Sequence, residues 1–233
     1  MGISMSVLRE TVKRIPLVRD VARWASTRFA ALGRDDFNSA EYWENRYSKG
    51  RNSGPGSYNR LAEFKAEVLN AFVESHKVQS VLEFGSGDGA QLALAEYPKY
   101  TGVDVSPTII EQARARYAGD DSKSFVLLGD LTDERADLTM SLDVIYHLIE
   151  DAVFDAHMRE LFERSTRYVV IYASNTDELA DSVHVRHRKF SDWVEANRKN
   201  FALIKTIPNA YPFDRSDPDN TSFADFYFYE RTD

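Results

Sequence analysis

Apolar residues recur along this chain in two alternating patterns. Short unbroken apolar runs fall at 78–84, 100–105, 125–128, 138–142 and 168–172, the last being the most apolar. None shows period-two alternation, which marks strands buried on both faces. Between them lie stretches of helical period. Leu61, Phe64, Val68, Leu69 and Phe72 share one face over 60–76; further helices are expected at 91–96, 106–117, 154–164 and 190–199, the last capped by Ser191. Ser106 followed by Pro107 reads as a helix cap with proline at the first position. This alternation predicts an α/β, doubly wound parallel sheet. Two late strands, 201–206 and 223–229, have no helix between them, only a Pro/Asp/Asn-rich loop at 208–222. They join simply only if antiparallel. The expectation is five parallel strands plus an antiparallel terminal pair.

Upstream of residue 60 the pattern changes. Residues 4–32 read as an amphipathic helix broken near Pro16, with Val7, Leu8, Val12 and Ile15 and then Leu17, Val18, Val21, Trp24 and Phe29 on its apolar side. Such a helix suits peripheral membrane contact, or packing on the domain or on a second subunit as a homodimer. Ser39 is placed to cap a short helix carrying Tyr42, Trp43 and Tyr47. Gly50, Gly54, Pro55 and Gly56 make 50–57 a loop, suited to a lid or to a surface linker. The chain thus divides into an N-terminal helical extension and lid, 1–59, and an α/β domain, 60–233.

Charge sharpens this division. The chain of 233 residues has a formal charge of −8, yet residues 1–34 hold seven Lys/Arg against Glu10 and Asp20. An acidic body argues against nucleic acid as a partner. The chain has no cysteine, hence no disulfide framework and no thiolate metal site. No apolar run reaches transmembrane length, and the N-terminus lacks a signal-peptide core. A cytoplasmic enzyme is the expectation.

The first strand breaks off into Gly85-Ser86-Gly87-Asp88-Gly89, three glycines spaced two apart. Glycines there permit positive φ and close approach of a ligand to backbone. Asp88, Asp104, Asp130 and Asp143 all fall at the carboxyl ends of expected strands, where ligands of such sheets bind. The pattern G-x-G-x-x-A with Asp104 seventeen residues past Gly87 is a weak match for a dinucleotide site. Asp88 has the wrong sign for a pyrophosphate, whereas S-adenosylmethionine offers a sulfonium, an ammonium and a ribose diol.

Val81 through Gly89 resembles the first motif of class I S-adenosylmethionine-dependent methyltransferases. Gly102-Val103-Asp104-Val105-Ser106 resembles their second motif, and Gly129-Asp130 and Ser141-Leu142-Asp143 match those after the third and fourth strands. The resemblance covers roughly 60–175. It implies a seven-stranded Rossmann-like sheet and S-adenosyl-L-methionine as cofactor. Gly85 and Gly87 would approach the methionine moiety, Asp104 would hold the ribose hydroxyls, Asp130 the adenine amino group, and Leu131 would flank the ring. Tyr58, Glu83, Asp88, Val105 and Leu142 complete the expected cofactor shell. A narrower resemblance, carried by 42–47, 53–58 and 141–151, is to bacterial methyltransferases of glycan biosynthesis, the methylmannose polysaccharide O-methyltransferase type.

A sugar hydroxyl needs a base, or a metal that acidifies it. His147 is the candidate base. If the segment after Asp143 is helical, Asp143, His147 and Asp151 share a face, able to orient the imidazole or to hold Mg²⁺ through the two carboxylates. The run His184-Val185-Arg186-His187-Arg188 follows the fifth strand. Its His184, His187 and Arg188 are expected to bind the acceptor, with Tyr42 and Trp43 stacking on it. Asn175 and Tyr172 are weaker candidates. The function expected is O-methylation of a sugar hydroxyl of a glycan or oligosaccharide. The alternatives are methyl transfer to another small molecule, an NAD-dependent oxidoreductase, or a non-enzymatic cofactor-binding scaffold.

Overall fold

The computed structural model describes residues 37–180 and 182–233. The helix expected over 4–32, and with it the membrane or dimer contact, lies outside the described residues. Among the described residues no helix is long and apolar enough to cross a membrane.

The described residues open with α1, Ser39–Ser48, and α2, Asn59–Ser75. Strand β1, Val81–Phe84, leads through the glycine turn to β2, Tyr100–Asp104. Helix α3, Pro107–Arg116, precedes β3, Lys123–Leu127. Strand β4, Ala136–Leu142, is followed by α4, Asp151–Glu163, and β5, Ser165–Ala173. Helix α5, Phe190–Asn197, and strands β6, Phe201–Ile207, and β7, Asp225–Arg231, complete the chain.

The sheet has seven strands in the order β3-β2-β1-β4-β5-β7-β6. The first five are parallel; β7 pairs antiparallel with both β5 and β6. Both faces are covered, which is why the strands read as unbroken apolar runs. Along β5, Tyr168, Val170 and Tyr172 pack with Leu69 and Phe72 of α2. Val169 and Ile171 pack on the other face with Met158 and Phe162 of α4 and Phe190 of α5. Strand order reverses between β1 and β4, so a crevice opens beyond their carboxyl ends.

Local expectations hold in part. Ser106 caps α3, its Oγ accepting from Ile109 N–H at 3.2 Å, with Pro107 first in the helix. Three others are corrected. The N-cap of α1 is Asn38, whose Oδ1 accepts from Glu41 N–H at 2.9 Å; Ser39 instead bonds through its N–H and Oγ to the Glu150 carboxylate. Ser191 lies inside α5 after Lys189, its N–H taken by Asn175 Oδ1 at 3.2 Å. The helix expected at 91–96 is a 3-10 turn, Gln91–Leu94. Asn70 of α2 stops it, donating to Leu94 O and accepting from Glu96 N–H, each at 3.0 Å.

Candidate functional site

The turn after β1 is shaped by close approach on every side. Gly85, Gly87 and Gly89 all have positive φ. A Cβ on Gly85 would come within 2.4 Å of Val144, and one on Gly87 within 2.4 Å of Ser53 Oγ. Asp104, at the end of β2, is buried and locks the turn. Its Oδ2 accepts from Gly87 N–H and its Oδ1 from Ser106 N–H, both at 3.0 Å. Burial pushes its pKa up although these bonds oppose the shift.

Asp88 does not point a free carboxylate at a ligand, as its sign had implied. Its Oδ2 accepts from Ser53 N–H at 2.8 Å and from the Tyr58 hydroxyl at 2.7 Å, and its Oδ1 from Ala90 N–H at 3.0 Å. Tyr58 is consumed by the same contact and does not line the cavity. Both residues fasten the 37–58 segment to the glycine turn. A second fastening comes from Glu44 of α1, whose carboxylate accepts from the Ser106 and Thr108 hydroxyls at the start of α3. The loop at 50–57 therefore lies over the crevice.

Beneath this cover is a cavity of about 690 Å³. Of the expected cofactor shell it is lined by Glu83, Gly85, Gly87, Asp88, Asp104, Val105, Leu131 and Leu142. Asp130 is exposed, in the 3-10 turn Leu128–Asp130, and does not line it. In the floor, Glu83 is buried and accepts from the Tyr100 hydroxyl at 2.6 Å. Burial pushes its pKa up to about 7, against the pull of Lys65. Between pH 4.5 and 7 the folded protein keeps a proton here that the unfolded chain has released. The contribution of Glu83 to stability therefore falls as pH rises through that window, opposite in sign to that of a histidine kept neutral by burial. Relative to the parent protein, Glu83→Gln is expected to shift the change in stability between pH 5 and pH 8 upward by about 3 kcal/mol, read from urea melts of both proteins at the two pH values. An unchanged slope would reject the assignment.

Lys65 is the floor's buried cation, 2% exposed, with Nζ 2.7 Å from Asp143 Oδ2 and 5.3 Å from the Tyr172 ring centroid. Asp143 Oδ1 accepts from the Tyr146 hydroxyl at 2.7 Å. Asp143 itself has φ +60, rare for a residue with a side chain. A Cβ on Gly56 of the lid would lie 2.7 Å from its Oδ2. Strand end, helix and lid thus meet at one carboxylate.

The helical face expected from Asp143 to Asp151 does not form. The segment is a 3-10 turn, Ile145–His147, followed by extended backbone, and α4 begins only at Asp151. Asp143 turns to Lys65 and Tyr146, while Asp151 takes Arg186 and Arg188 at 3.0 and 2.9 Å. The two carboxylates face different partners, so the expected Mg²⁺ pair is not assembled. Among the described residues no group of three or more His, Asp or Glu is placed to hold a metal. Arg188 is likewise not an acceptor ligand. It is buried, donating to Leu148 O, Ile149 O and Asp151, and it ties the β5–α5 loop to the start of α4.

His147 lines the cavity. Its Nδ1 is 2.9 Å from His184 O. A carbonyl only accepts, so Nδ1 carries the proton and Nε2 the lone pair. Burial lowers its pKa to about 4. Its ring meets Trp43 edge-on at 4.9 Å, and His184 stacks between His147 and Tyr42 at 5.7 and 5.1 Å. Trp43 lines the cavity; Tyr42, His184 and His187 stand outside it. His187 Nδ1 lies 2.7 Å from Ser174 Oγ.

Three residues on or near this cavity were not singled out by sequence. Lys65 falls on the apolar face of α2 between Leu61 and Leu69, an interruption that signals a buried partner. His157, bonded to Ser141 Oγ at 2.9 Å and with its pKa lowered to about 4 by burial, interrupts the apolar face of α4 in the same way. Glu44 carries no such signal.

The seven-stranded sheet with its antiparallel β5–β7–β6 edge matches a Rossmann-like methyltransferase fold. Residues 81–169 match a family model described as a methyltransferase domain. A mouse protein, EEF1A lysine methyltransferase 4, is 29% identical over 86 residues, which are 35% of this chain. The chain matches only 32% of the length of that relative. Among solved structures, the N-methyltransferase NodS from Bradyrhizobium japonicum with S-adenosyl-L-homocysteine superposes with a TM-score of 0.64 at 17% identity, over 84% of this chain and 100% of that one. Magnesium protoporphyrin IX methyltransferase from Synechocystis with bound S-adenosylmethionine gives 0.58 at 18% identity, over 87% and 96%.

Proposed function

We propose that this protein transfers a methyl group from S-adenosylmethionine to an oxygen, the hydroxyl of a sugar in a glycan or oligosaccharide. The observation that carries the cofactor half is the sign of the cavity. Its lining carries more acids than bases, Glu83, Asp88, Asp104, Asp143, Glu150 and Glu160 against Lys65 and Arg164. That lining suits a sulfonium and an ammonium, and it opposes the pyrophosphate an NAD-dependent oxidoreductase would bind there.

The residues fit the cofactor in kind. Asp104, at the end of β2, is the acid assigned to the ribose hydroxyls, through the lone pairs left by its bonds to Gly87 and Ser106 N–H. The turn at Gly85 and Gly87 leaves backbone open where a Cβ would intrude, and Val105, Leu131 and Leu142 supply apolar walls. When bound, S-adenosylmethionine supplies an activated methyl open to direct displacement.

His147 supports the choice of oxygen. Its Nε2 is a neutral acceptor on the cavity wall. A hydroxyl oxygen becomes strongly acidic as it takes a methyl group. An imidazole of pKa about 4 is basic enough to collect that proton as the C–O bond forms. Trp43 and the lid exclude water and supply a flat face for a sugar ring.

Calorimetric titration with S-adenosylhomocysteine and with NAD tests the cofactor assignment. Binding of the first alone is expected. Asp104→Ala is expected to weaken it about 100-fold, the loss of two hydrogen bonds to a charged group; undiminished affinity would remove Asp104 from the ribose. Incubating glycan extracts with methyl-labelled cofactor tests the acceptor. Label appearing only in protein or in nucleic acid would overturn the sugar reading.

A further inference from the structure

One carboxylate on the cavity wall is not among the residues assigned to the cofactor. Glu150 lines the cavity together with Asn38, Ser39, Trp43 and His147. It immediately precedes α4, yet its side chain does not cap that helix. It is fixed instead by α1. Ser39 N–H donates to Glu150 Oε1 at 2.8 Å, and the Ser39 hydroxyl lies between Glu150 Oε2 and His147 O, the latter at 2.9 Å. One buried serine thus holds the carboxylate beside the backbone of the candidate base. Burial works to raise the pKa of Glu150, but the Ser39 bonds prevail and hold it below the ordinary carboxylate value. The group is charged at neutral pH.

Holding Ser39 does not by itself call for that charge. Ser39 meets each carboxylate oxygen once, whereas a carboxylate offers about four acceptor positions. A glutamine amide could hold the same serine. The nearby guanidiniums are engaged elsewhere. Arg186 and Arg188 both bond Asp151 and the Ile149 carbonyl. Arg46 donates to Asn52 O and stands outside the cavity. Asn38 supplies a complementary group. Its Oδ1 caps α1, accepting from Glu41 N–H at 2.9 Å, which leaves the hydrogens of its Nδ2 for another partner. An acceptor, a donor and the Trp43 ring therefore share one wall with His147.

We infer that Glu150, with Asn38, reads the group next to the reacting hydroxyl, accepting a hydrogen-bond donor there, a hydroxyl or an ammonium, and refusing a carboxylate or phosphate. This rests on the acceptor being a sugar at the His147 wall, as proposed above. The substrate class is then a neutral or amino sugar. An acidic sugar would set its anion against the Glu150 carboxylate, which is half-buried, and like charges there are screened less than on an open surface.

The test is binding of methyl β-D-glucoside, methyl β-D-glucosaminide and methyl β-D-glucuronide to the full-length protein saturated with S-adenosylhomocysteine, followed by ligand-observed NMR. The neutral and amino glycosides are expected to bind about 10-fold tighter than the glucuronide, the scale of a hydrogen bond to a charged group. Glu150→Gln can keep the Ser39 contacts and is expected to shrink that preference to about twofold. Asn38→Asp keeps the helix cap but exchanges the donor for a second anion. It is expected to weaken the neutral glycoside about fivefold and the glucuronide further. Melting temperature and S-adenosylhomocysteine affinity serve as controls for folding. A glucuronide bound as tightly as the neutral glycoside by the parent protein, or a preference that Glu150→Gln leaves unchanged, overturns the subsite alone. Binding of none of the three rejects the sugar reading and the subsite with it. Preference for the amino over the neutral glycoside assigns the ammonium and equal affinity the hydroxyl; both uphold the subsite.

Discussion

His147→Gln is expected to lower kcat by 100- to 10,000-fold, the range for removal of a general base, while leaving S-adenosylhomocysteine affinity within twofold. The imidazole lines the cavity, and its Nδ1–H is fixed on His184 O at 2.9 Å. Glutamine can renew that bond but offers no basic nitrogen. The pH profile separates this role from a packing role. With its pKa lowered by burial to about 4, His147 is neutral in the folded protein from about pH 5 upward. The rate should therefore be level from pH 5 to 8 and fall below about pH 4.5, not near the ordinary histidine value of 6.5. The same shift makes His147 acid-sensitive in stability. Below pH 6.5 the unfolded chain takes up a proton that the folded chain refuses until about pH 4, so stability is lost as pH falls through that window. A kcat unchanged in His147→Gln would return the base to another group.

Lys65→Met carries the largest expected cost in stability. The ammonium is 2% exposed and Asp143 is 16% exposed, with 2.7 Å between them. Removing one partner of such a pair strands the other, at about 3–5 kcal/mol. For a chain of this size that lowers Tm by about 10 °C. The loss should exceed that of a surface pair such as Arg159–Asp155, both of whose side chains are close to half exposed, where about 0–1 kcal/mol is the rule. Because Asp143 also touches Tyr146 and the lid glycine Gly56, the variant is expected to loosen 50–57. Increased hydrogen exchange there would report it. Lys65→Met combined with Asp143→Asn should recover part of the loss, since no charge is then left unpaired. A single-variant cost below 1 kcal/mol would mean that water reaches the pair.

Residue pattern and site differ in how far they could be read in advance. The parallel order of the first five strands was legible because strands buried on both faces must be apolar throughout, as β5 is. The antiparallel pair followed from a connection lacking a helix. Asp104 was legible because a strand end, a helix cap at Ser106 and a glycine turn have fixed spacing along the chain. The segment from Asp143 to Asp151 was misjudged because i, i+4 spacing says only what a helix would do. The backbone leaves β4 with φ +60 at Asp143, and Ser39 and Arg188, from segments distant in sequence, bond the backbone at His147, Leu148 and Ile149. Asp88 was given the right position but the wrong partner for the same reason. Ser53 and Tyr58, thirty or more residues away, reach its carboxylate before any ligand does.

The sequence by itself determined the strands, their parallel or antiparallel directions and the presence of acids at the strand ends. These follow from local periodicity and from chain connectivity. Only the tertiary structure decided which of those acids remain turned to the cavity, that Lys65 offsets them, and that His147 is neutral with its lone pair on Nε2. Burial and partner identity set those properties, and both depend on contacts between residues far apart along the chain.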